Sequence, residues 1–475
     1  MVVGEIAEEK ELVIIGGGPG GYHAAIRAAQ LGIQVTLIEK KELGGVCLND
    51  GCIPSKALTT LAKRTEDWKH GKEMGLESKE PIINLKTFQT YKNKLIKQLQ
   101  KGVEGLCKAN KIEVIKGNAA FLSEDRVGVE AGHDFQVFKF HHCIIATGAG
   151  LEQESWIPAG HRNVFNSYTI FTLEDIPAHI ILYGQDYITL ELAFSLKALG
   201  SQVTLVTQEE FDLDETVRKE LKRSLKKKKI KHFSRYQAIG FQEEEKLLQI
   251  QLQDSSGERI TVEGTHLYAS GTKKPNIAGI GIDRLNIKTQ AGYIEVDQEC
   301  CTSISSIYAI GDVTSGEKLA VKAIKQGKVA AQSIHGLKPE YDERYLPKVI
   351  HTLPPIASVG LTEEIAKEHY DVVSSTYPLT GTGYAAILGE KQGTVKVIKE
   401  KGTDLLLGVH MIGAGAVELI SSATIGLEMV AREEDLLYPF YPHPSMNEGL
   451  LEAIEGLEGK AIHAMPKKQS ARVNV

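Results

Sequence analysis

Little in this sequence points to a stapled scaffold, a membrane span or an electrostatic magnet. Six cysteines in 475 residues are too few for a small disulfide-rich fold. Charge is nearly balanced: 55 basic against 61 acidic residues leave a net charge of −6, which excludes a chain-wide attraction for nucleic acid or acidic membrane. No apolar run approaches the ~18 residues that a spanning helix needs. Residues 1–10 carry three acids and no apolar stretch, so neither a signal peptide nor a basic transit segment is expected there. Residues 466–475 read as a loose polar tail. The expected compartment is the cytoplasm, where lasting structural disulfides are rare. Hydrophobic residues at 42% and charged residues at 24% are ordinary globular values, which excludes disorder as the main state. Glycine is in excess: 46 residues, about 10% where about 7% is usual. Glycine serves where backbone turns sharply or approaches a ligand, so its placement matters.

The length suggests about three domains. Residues 11–15 form a short β-rich run that stops at Gly16-Gly17-Gly18-Pro19-Gly20-Gly21, followed by a helical stretch over 22–31 and an apolar strand over 33–38 closed by Glu39. Strand, glycine turn, helix, strand is a βαβ unit. The rhythm recurs as a strand at 178–183, a helix at 187–199 and a strand at 202–206, which reads as one architecture used twice. Residues 67–103 are lysine-rich with helical spacing, 111–147 are rich in strands, and a helix is expected over 318–334. The last stretch mixes strands at 394–398 and 405–411 with helices at 416–429 and 449–462. The fold class expected is α/β, with two Rossmann-like dinucleotide-binding domains and a C-terminal α+β domain. Expected divisions are 1–148 and 272–346 for the first dinucleotide domain, 149–271 for the second and 347–475 for the last.

Gly16, Gly18 and Gly21 fit Gly-x-Gly-x-x-Gly, and an acid, Glu39, ends the next strand. Strand before, helix after and acid beyond make the match strong. Gly16 permits the tight turn, Gly18 lets backbone approach a pyrophosphate, and Gly21 lets helix and strand pack closely. The helix N-terminus offers N–H groups to phosphate, and Glu39 can accept from a ribose. The motif alone does not choose between FAD and NAD.

Just past it stand Cys47 and Cys52, in Gly44-Gly45-Val46-Cys47-Leu48-Asn49-Asp50-Gly51-Cys52-Ile53-Pro54-Ser55-Lys56. Zinc needs four ligands and no second Cys/His pair of suitable spacing follows, so redox use is favoured and no metal is expected. Lys56 and a helix starting near Pro54 would both favour a thiolate at Cys52.

This run resembles the redox-active segment of the pyridine nucleotide–disulfide oxidoreductases, and its wording is nearest the dihydrolipoamide dehydrogenase branch. The resemblance spans nearly the whole chain. Thr147 and Gly148 resemble the family's exit from its first domain. Tyr308-Ala309-Ile310-Gly311-Asp312 resembles its second FAD motif, with Gly311 at the turn and Asp312 on the ribityl chain. His443-Pro444-Ser445-Met446-Asn447-Glu448 resembles its C-terminal catalytic motif, with Ser445 in place of the usual Thr and Tyr441 in place of a usual His. The resemblance implies FAD and NAD as cofactors and a Cys47–Cys52 disulfide, with Cys47 the interchange thiol and Cys52 facing the flavin. It implies His443 as base with Glu448 orienting it, Lys56 paired with Glu191 beside the flavin, and a homodimer in which the His–Glu pair comes from the other subunit. The substrate implied is a protein-bound dihydrolipoyl group, on the lipoyl domain of a 2-oxoacid dehydrogenase complex or of the glycine cleavage system. A flavoprotein that has lost NAD turnover and binds partners, or a reductase of another disulfide, are the alternatives.

The second unit departs from the pattern. It reads Gly184-Gln185-Asp186-Tyr187-Ile188-Thr189, and only the first glycine survives. Asp186 stands where backbone should approach the pyrophosphate. A carboxylate left uncompensated about 4 Å from a phosphate charge costs roughly 4 kcal/mol at an effective dielectric of about 20, about a thousandfold in affinity. Thr189 adds bulk at the third glycine position, and the strand ends at Thr207 where an acid belongs. Tyr187 and Glu191 keep the family pattern, while the segment from Gly271 to Asn276 is one residue longer than the family's; the alternative is that the helix shifts and NAD still binds through Thr207, Gln208 and Gly271. FAD binding and disulfide chemistry are therefore expected intact, and NAD binding weakened or rebuilt. Of the remaining features, the adjacent Cys300 and Cys301 suit a disulfide poorly. Cys107 and Cys143 read as core, and the seven Lys/Arg of residues 222–231 as a solvated face.

Overall fold

The computed structural model describes residues 7–77 and 79–465; the expectations for the loose tail at 466–475 and for most of 1–10 lie outside the described residues. Short apolar runs bounded by glycine form the inner strands. The chain begins with β1 (Glu8–Ile15), α1 (Pro19–Gln30) and β2 (Val35–Glu39), then α2 (Gly45–Asn49), α3 (Cys52–Gly71) and α4 (Leu85–Ala109). Strands β3 (Glu113–Lys116), β4 (Asn118–Ser123), β5 (Arg126–Ala131) and β6 (Asp134–Ile145) follow. The sheet order is β3-β2-β1-β6-β5-β4, parallel from β3 to β6 and antiparallel beyond. Leu12 and Ile14 enter one core cluster and Val13 and Ile15 another, the two-sided burial of a parallel strand.

The lysine-rich stretch expected to be helical is two helices. The first runs on as a 3-10 turn over Lys72–Met74 that Gly75, at φ +94°, ends, and the Asn84 side chain accepts from Thr87 N at 2.9 Å to start the second.

Strand β7 (Ala149–Glu152) leads out of the first sheet. Then come β8 (Val164–Phe165), β9 (His179–Tyr183), α5 (Tyr187–Ala198), β10 (Gln202–Thr207), α6 (Glu215–Lys227) and β11 (Lys231–Ser234). An antiparallel layer follows, β12 (Tyr236–Glu244), β13 (Leu247–Asp254) and β14 (Arg259–Gly264), and then β15 (His266–Ala269) and β16 (Thr272–Pro275). The second sheet is wholly parallel, ordered β11-β10-β9-β15-β8. Its β9 repeats the alternation of β1: Ile180 and Leu182 pack towards one core and Ile181 and Tyr183 towards the other, under β13 and β14. Entry and exit strands β7 and β16 pair antiparallel as a two-stranded ribbon.

The chain then returns to the first sheet. After β17 (Thr289–Gln290) and β18 (Tyr293–Ile294), β19 (Ile307–Ala309) pairs with β6, and α7 (Ala320–Ile334) packs on α1. That approach is close enough that a Cβ on Gly327 would lie 2.5 Å from the Gly20 carbonyl oxygen. The last unit holds β20 (Lys348–Ile350), β21 (Ile356–Gly360), α8 (Glu363–His369), β22 (Val372–Pro378), α9 (Gly383–Ile387), β23 (Thr394–Glu400) and β24 (Leu406–Ile412), closed by α10 (Ala416–Glu428), α11 (Glu433–Leu437) and α12 (Asn447–Glu455). Its sheet, β20-β21-β24-β23-β22, is antiparallel. The helix expected to reach 462 stops at Glu455, runs on as a single 3-10 turn and ends at Gly459, at φ +68°. No helix among the described residues is long and apolar enough to cross a membrane.

Candidate active site

The first glycine turn is an open cradle. Gly16 has φ +108°, and a Cβ there would lie 2.3 Å from the Ala146 carbonyl oxygen, so the turn lies against the end of β6. A Cβ on Gly21 would lie 1.8 Å from the Gly16 carbonyl oxygen, which only glycine avoids. Gly18 caps α1 with no side chain, and the space over it is clear except for the Gly45 Cα at 3.8 Å. The leading N–H groups of α1 therefore face outwards without a competing side-chain acceptor. Glu39 turns towards this loop and accepts from Gly17 N at 2.7 Å. At the end of β19, Gly311 N donates to Gln326 Oε1 at 2.7 Å, and the Asp312 carboxylate has no hydrogen-bond partner among the described residues. Thr147 Oγ1 donates to the Asn276 carbonyl at 2.8 Å, and Gly148, at φ +70°, has open space above it. Uncapped helix, unhindered turn and free carboxylate fit a flavin dinucleotide.

Cys47, within α2, and Cys52, the first residue of α3, form a disulfide with a Cα–Cα distance of 4.6 Å. A sulfur at a helix N-terminus has its thiolate favoured by the unpaired N–H groups. One turn along, Lys56 Nζ lies 2.7 Å from Glu191 Oε1 and 2.9 Å from Oε2. Glu191 is 1% exposed, so its charge needs this partner. The carboxylate also accepts from the Ser55 hydroxyl and from His351 N at 2.9 Å. Helix α3, helix α5 and the loop after β20 thus meet at one buried carboxylate. Sequence reasoning found Lys56 and Glu191 but missed Ser55 and His351. No motif marks a backbone N–H such as that of His351. Burial, and then the Lys56 charge, push the His351 imidazole below its ordinary value. Lys56 Nζ also lies 5.2 Å from the Tyr187 ring centroid.

His443 Nδ1 and Glu448 Oε1 are 2.7 Å apart, and Glu448 Oε2 accepts from Ser445 N at 2.9 Å. Partial burial works against the Glu448 charge, yet the Ser445 amide and His443 together hold its carboxyl below the ordinary value. The pair stands far from shelter: the His443 side chain is 80% exposed, and Tyr438 and Phe440, a few residues before it in the chain, are exposed as well. Exposed aromatic residues beside a polar pair suit a protein interface. Tyr441 OH donates to the Leu436 carbonyl at 2.7 Å and stays out of the pair.

A profile described as the pyridine nucleotide-disulphide oxidoreductases matches residues 10–327, and the dimerisation domain of the same proteins matches residues 346–454. The chain belongs to that family. Its full-length relatives include a dihydrolipoyl dehydrogenase of Geobacillus stearothermophilus, 36% identical over 98% of this chain and 100% of that one. One of Thermus scotoductus is 38% identical over 96% of this chain and 99% of that one. A mitochondrial one of Pisum sativum is 35% identical over 96% and 93%. The LpdA structure of Mycobacterium tuberculosis shares the fold, with a TM-score of 0.88 at 24% identity over 94% of this chain and 99% of that one. This member of the family is a disulfide oxidoreductase with a dimerisation domain, and the cofactors of the family are FAD and NAD.

The second nucleotide unit is built differently from the first. Asp186 is the N-cap of α5, and its Oδ1 accepts from Thr189 N at 2.8 Å and from Thr189 Oγ1 at 2.7 Å. The expectation of an uncompensated carboxylate needs correcting here: the charge is engaged within its own helix. Thr189 is fully buried, and a Cβ on Gly184 would lie 2.4 Å from Ser270 Oγ and 2.8 Å from Thr189 Oγ1. Thr207 is fully buried too, its hydroxyl 3.1 Å from Nε2 of His232, whose imidazole burial pushes down to about 4. Gln208 Nε2 donates to Tyr183 OH at 2.7 Å. Neither residue presents a carboxylate to a ribose. Gly271, at φ +65°, is the tight bend leading into the exit strand β16. This set does not fit NAD in the family manner.

The remaining features are structural. Cys300 and Cys301 are free thiols, and Cys107 and Cys143 are buried, each thiol pushed up by that burial. The basic stretch ends α6 and enters β11; there Lys222 pairs with Glu210, Arg223 with Glu220 and Lys228 with Glu66. The carboxylates of Asp404, Glu433 and Glu458 gather around the Lys399 ammonium.

Proposed function

We propose that this chain is a dihydrolipoyl dehydrogenase-type flavoenzyme that oxidises a protein-bound dihydrolipoyl group in the cytoplasm. The observation that carries the reading is the Cys47–Cys52 disulfide at the head of α3, beside the Lys56–Glu191 pair and next to the open glycine cradle. Residues 1–148 and 272–346 form the FAD domain, 149–271 the second nucleotide-type domain and 347–475 the dimerisation domain. Gly16, Gly18, Gly21, Glu39, Thr147, Gly148, Gly311 and Asp312 would hold FAD, which would supply a two-electron acceptor beside Cys52. Tyr187 and Glu191 would serve the flavin side through Lys56, and Gly184 and Gly271 would belong to the second nucleotide unit.

A substrate thiolate attacks Cys47, the Cys47–Cys52 bond breaks, and Cys52 leaves as a thiolate that the α3 N-terminus favours. A second substrate thiolate then displaces Cys47 and closes the substrate disulfide. The substrate thiols give up two protons: His443 Nε2 takes one, since Nδ1 is held by Glu448, and the other goes to the departing Cys47 sulfur. Glu448 fixes the tautomer and stabilises the imidazolium, as the acid of a catalytic triad does. His443 is exposed in the single chain and makes no hydrogen bond to the cysteine segment, which supports a homodimer that brings it to its partner's cysteines. The dithiol partner proposed is the lipoyl domain of a 2-oxoacid dehydrogenase or glycine cleavage complex. A flavoprotein without NAD turnover is the second reading, favoured by the Asp186 cap.

The test is anaerobic mixing of the flavin-loaded protein with dihydrolipoamide while flavin absorbance is followed. Rapid bleaching is expected in the wild type, and none in Cys47→Ser, which should keep its FAD. Bleaching that survives Cys47→Ser would sink the reading.

A further inference from the structure

We infer that the second nucleotide unit carries its own anion: the Asp186 carboxylate occupies the head of α5 and shuts it to a dinucleotide pyrophosphate. This rests on the proposed function only in treating Cys47, Cys52 and FAD as the dithiol side; it concerns the opposite side of the enzyme. Four observations converge. Asp186 Oδ1 takes the N–H of Thr189, 2.8 Å away, one of the donors that a bound phosphate would use. The carboxylate puts a negative charge at the positive end of the helix, where the phosphate charge would otherwise be stabilised. Thr189 stands where the first unit has Gly21, whose close approach to the Gly16 carbonyl admits no side chain, and it locks the carboxylate with a second bond of 2.7 Å through its hydroxyl. At the end of β10, the Thr207 hydroxyl faces His232, so the ribose anchor is missing as well.

The contrast with α1 is internal to the molecule. Both helices have 12 residues and follow a parallel strand, but Gly18 offers α1 no side-chain cap while Asp186 closes α5. A phosphate reaching α5 has to displace a bonded carboxylate before it gains anything. The cap, rather than charge repulsion at a distance, is the block. Tyr187, the residue after Asp186, and Glu191, about one turn beyond it, remain committed to Lys56 and hence to the flavin side.

The test is titration of the oxidised, FAD-loaded dimer with NAD+ by calorimetry. Asp186→Gly combined with Thr189→Gly is expected to tighten NAD+ by about tenfold or more, the scale of a lost N-cap. Asp186→Asn keeps a capping oxygen and loses the charge, so it is expected to gain less than about threefold on the same scale. Equal dissociation constants for wild type and the double variant overturn the inference, and so does a full gain from Asp186→Asn alone. Should the double variant shed FAD or fail to fold, hydrogen exchange of the wild type decides. Saturating NAD+ should leave amide exchange of residues 185–190 unchanged, and slowed exchange there overturns the inference. Dihydrolipoamide bleaching, run in parallel, separates the two readings. Bleaching with tight wild-type NAD+ binding sinks only this inference, while absent bleaching sinks only the proposed function.

Discussion

The two βαβ units of this chain share strand order, helix length and two-sided burial, and differ in what stands at the head of the helix. In the first, Gly16, Gly18 and Gly21 leave a turn without side chains, and α1 begins with unclaimed N–H groups. In the second, Asp186 and Thr189 fill the same place and α5 begins capped. The strands are indifferent to this change. β1 and β9 sit between parallel neighbours in the same manner, because inward apolar residues decide sheet formation and the loop residues do not. Fold and ligand therefore rest on separate sets of residues, and one set can change while the other persists.

The sharpest way to break the comparison is to give the first unit the second unit's residue. Gly21→Thr would place a Cβ 1.8 Å from the Gly16 carbonyl oxygen, where Thr189 has room in α5. The turn cannot accept both, so the variant is expected to purify colourless, with FAD binding lost. A yellow protein with normal flavin content would show that the two turns are interchangeable.

A smaller effect separates the units by what anchors them. The first is closed by α1 against α7 through the Gly20–Gly327 contact. The second is tied to the last domain by a buried charge: Lys396 Nζ on β23 lies 2.9 Å from Asp214 Oδ2 and 2.6 Å from Glu363 Oε2. The Lys396 and Asp214 side chains are 4% and 0% exposed, so removing one partner strands the other. Lys396→Met is expected to cost about 3–5 kcal/mol, measured by urea unfolding, with the loss read in the second unit and the last domain while FAD stays bound. A loss below about 1 kcal/mol would place this cluster among ordinary surface pairs.

Much of this was legible in the residues because each unit announces itself locally. Gly16 to Gly21, Cys47 to Lys56 and His443 to Glu448 are short runs whose spacing carries their chemistry, and the structure keeps each run in one piece. The pairing of Lys56 with Glu191 was reachable only through resemblance, since 135 residues separate them. His351 on the same carboxylate had no signal, because a hydrogen bond from a backbone amide leaves no mark in composition, while Ser55, which donates its hydroxyl, lies in the cysteine run but its distant partner is not visible there. The break in the lysine-rich stretch lies at Gly75 and Asn84, and the helical periodicity on either side hides it. Asp186 shows a different limit. Its presence was read as a repulsive charge, while its role as a cap depends on Thr189 three residues on, and capping geometry is settled by rotamer and burial together.

The mildest prediction concerns that cap itself. Asp186→Ala should loosen the start of α5 by about 1 kcal/mol, read as faster amide exchange over its first turn, with no counterpart in α1, which has no capping side chain to lose. Asp186→Asn keeps a capping oxygen and should cost less, with a dependence on pH. Burial raises the Asp186 carboxyl above its ordinary value of 3.8, even though the two Thr189 bonds pull the other way. A raised group binds its proton more tightly in the folded state. Its contribution to stability is fully present below 3.8 and is lost as pH rises through the folded value. The wild type should therefore lose ground against Asp186→Asn between acidic and neutral pH, and a gap between the two that stays constant across that range would mean the cap gains as much from the charge as burial takes away.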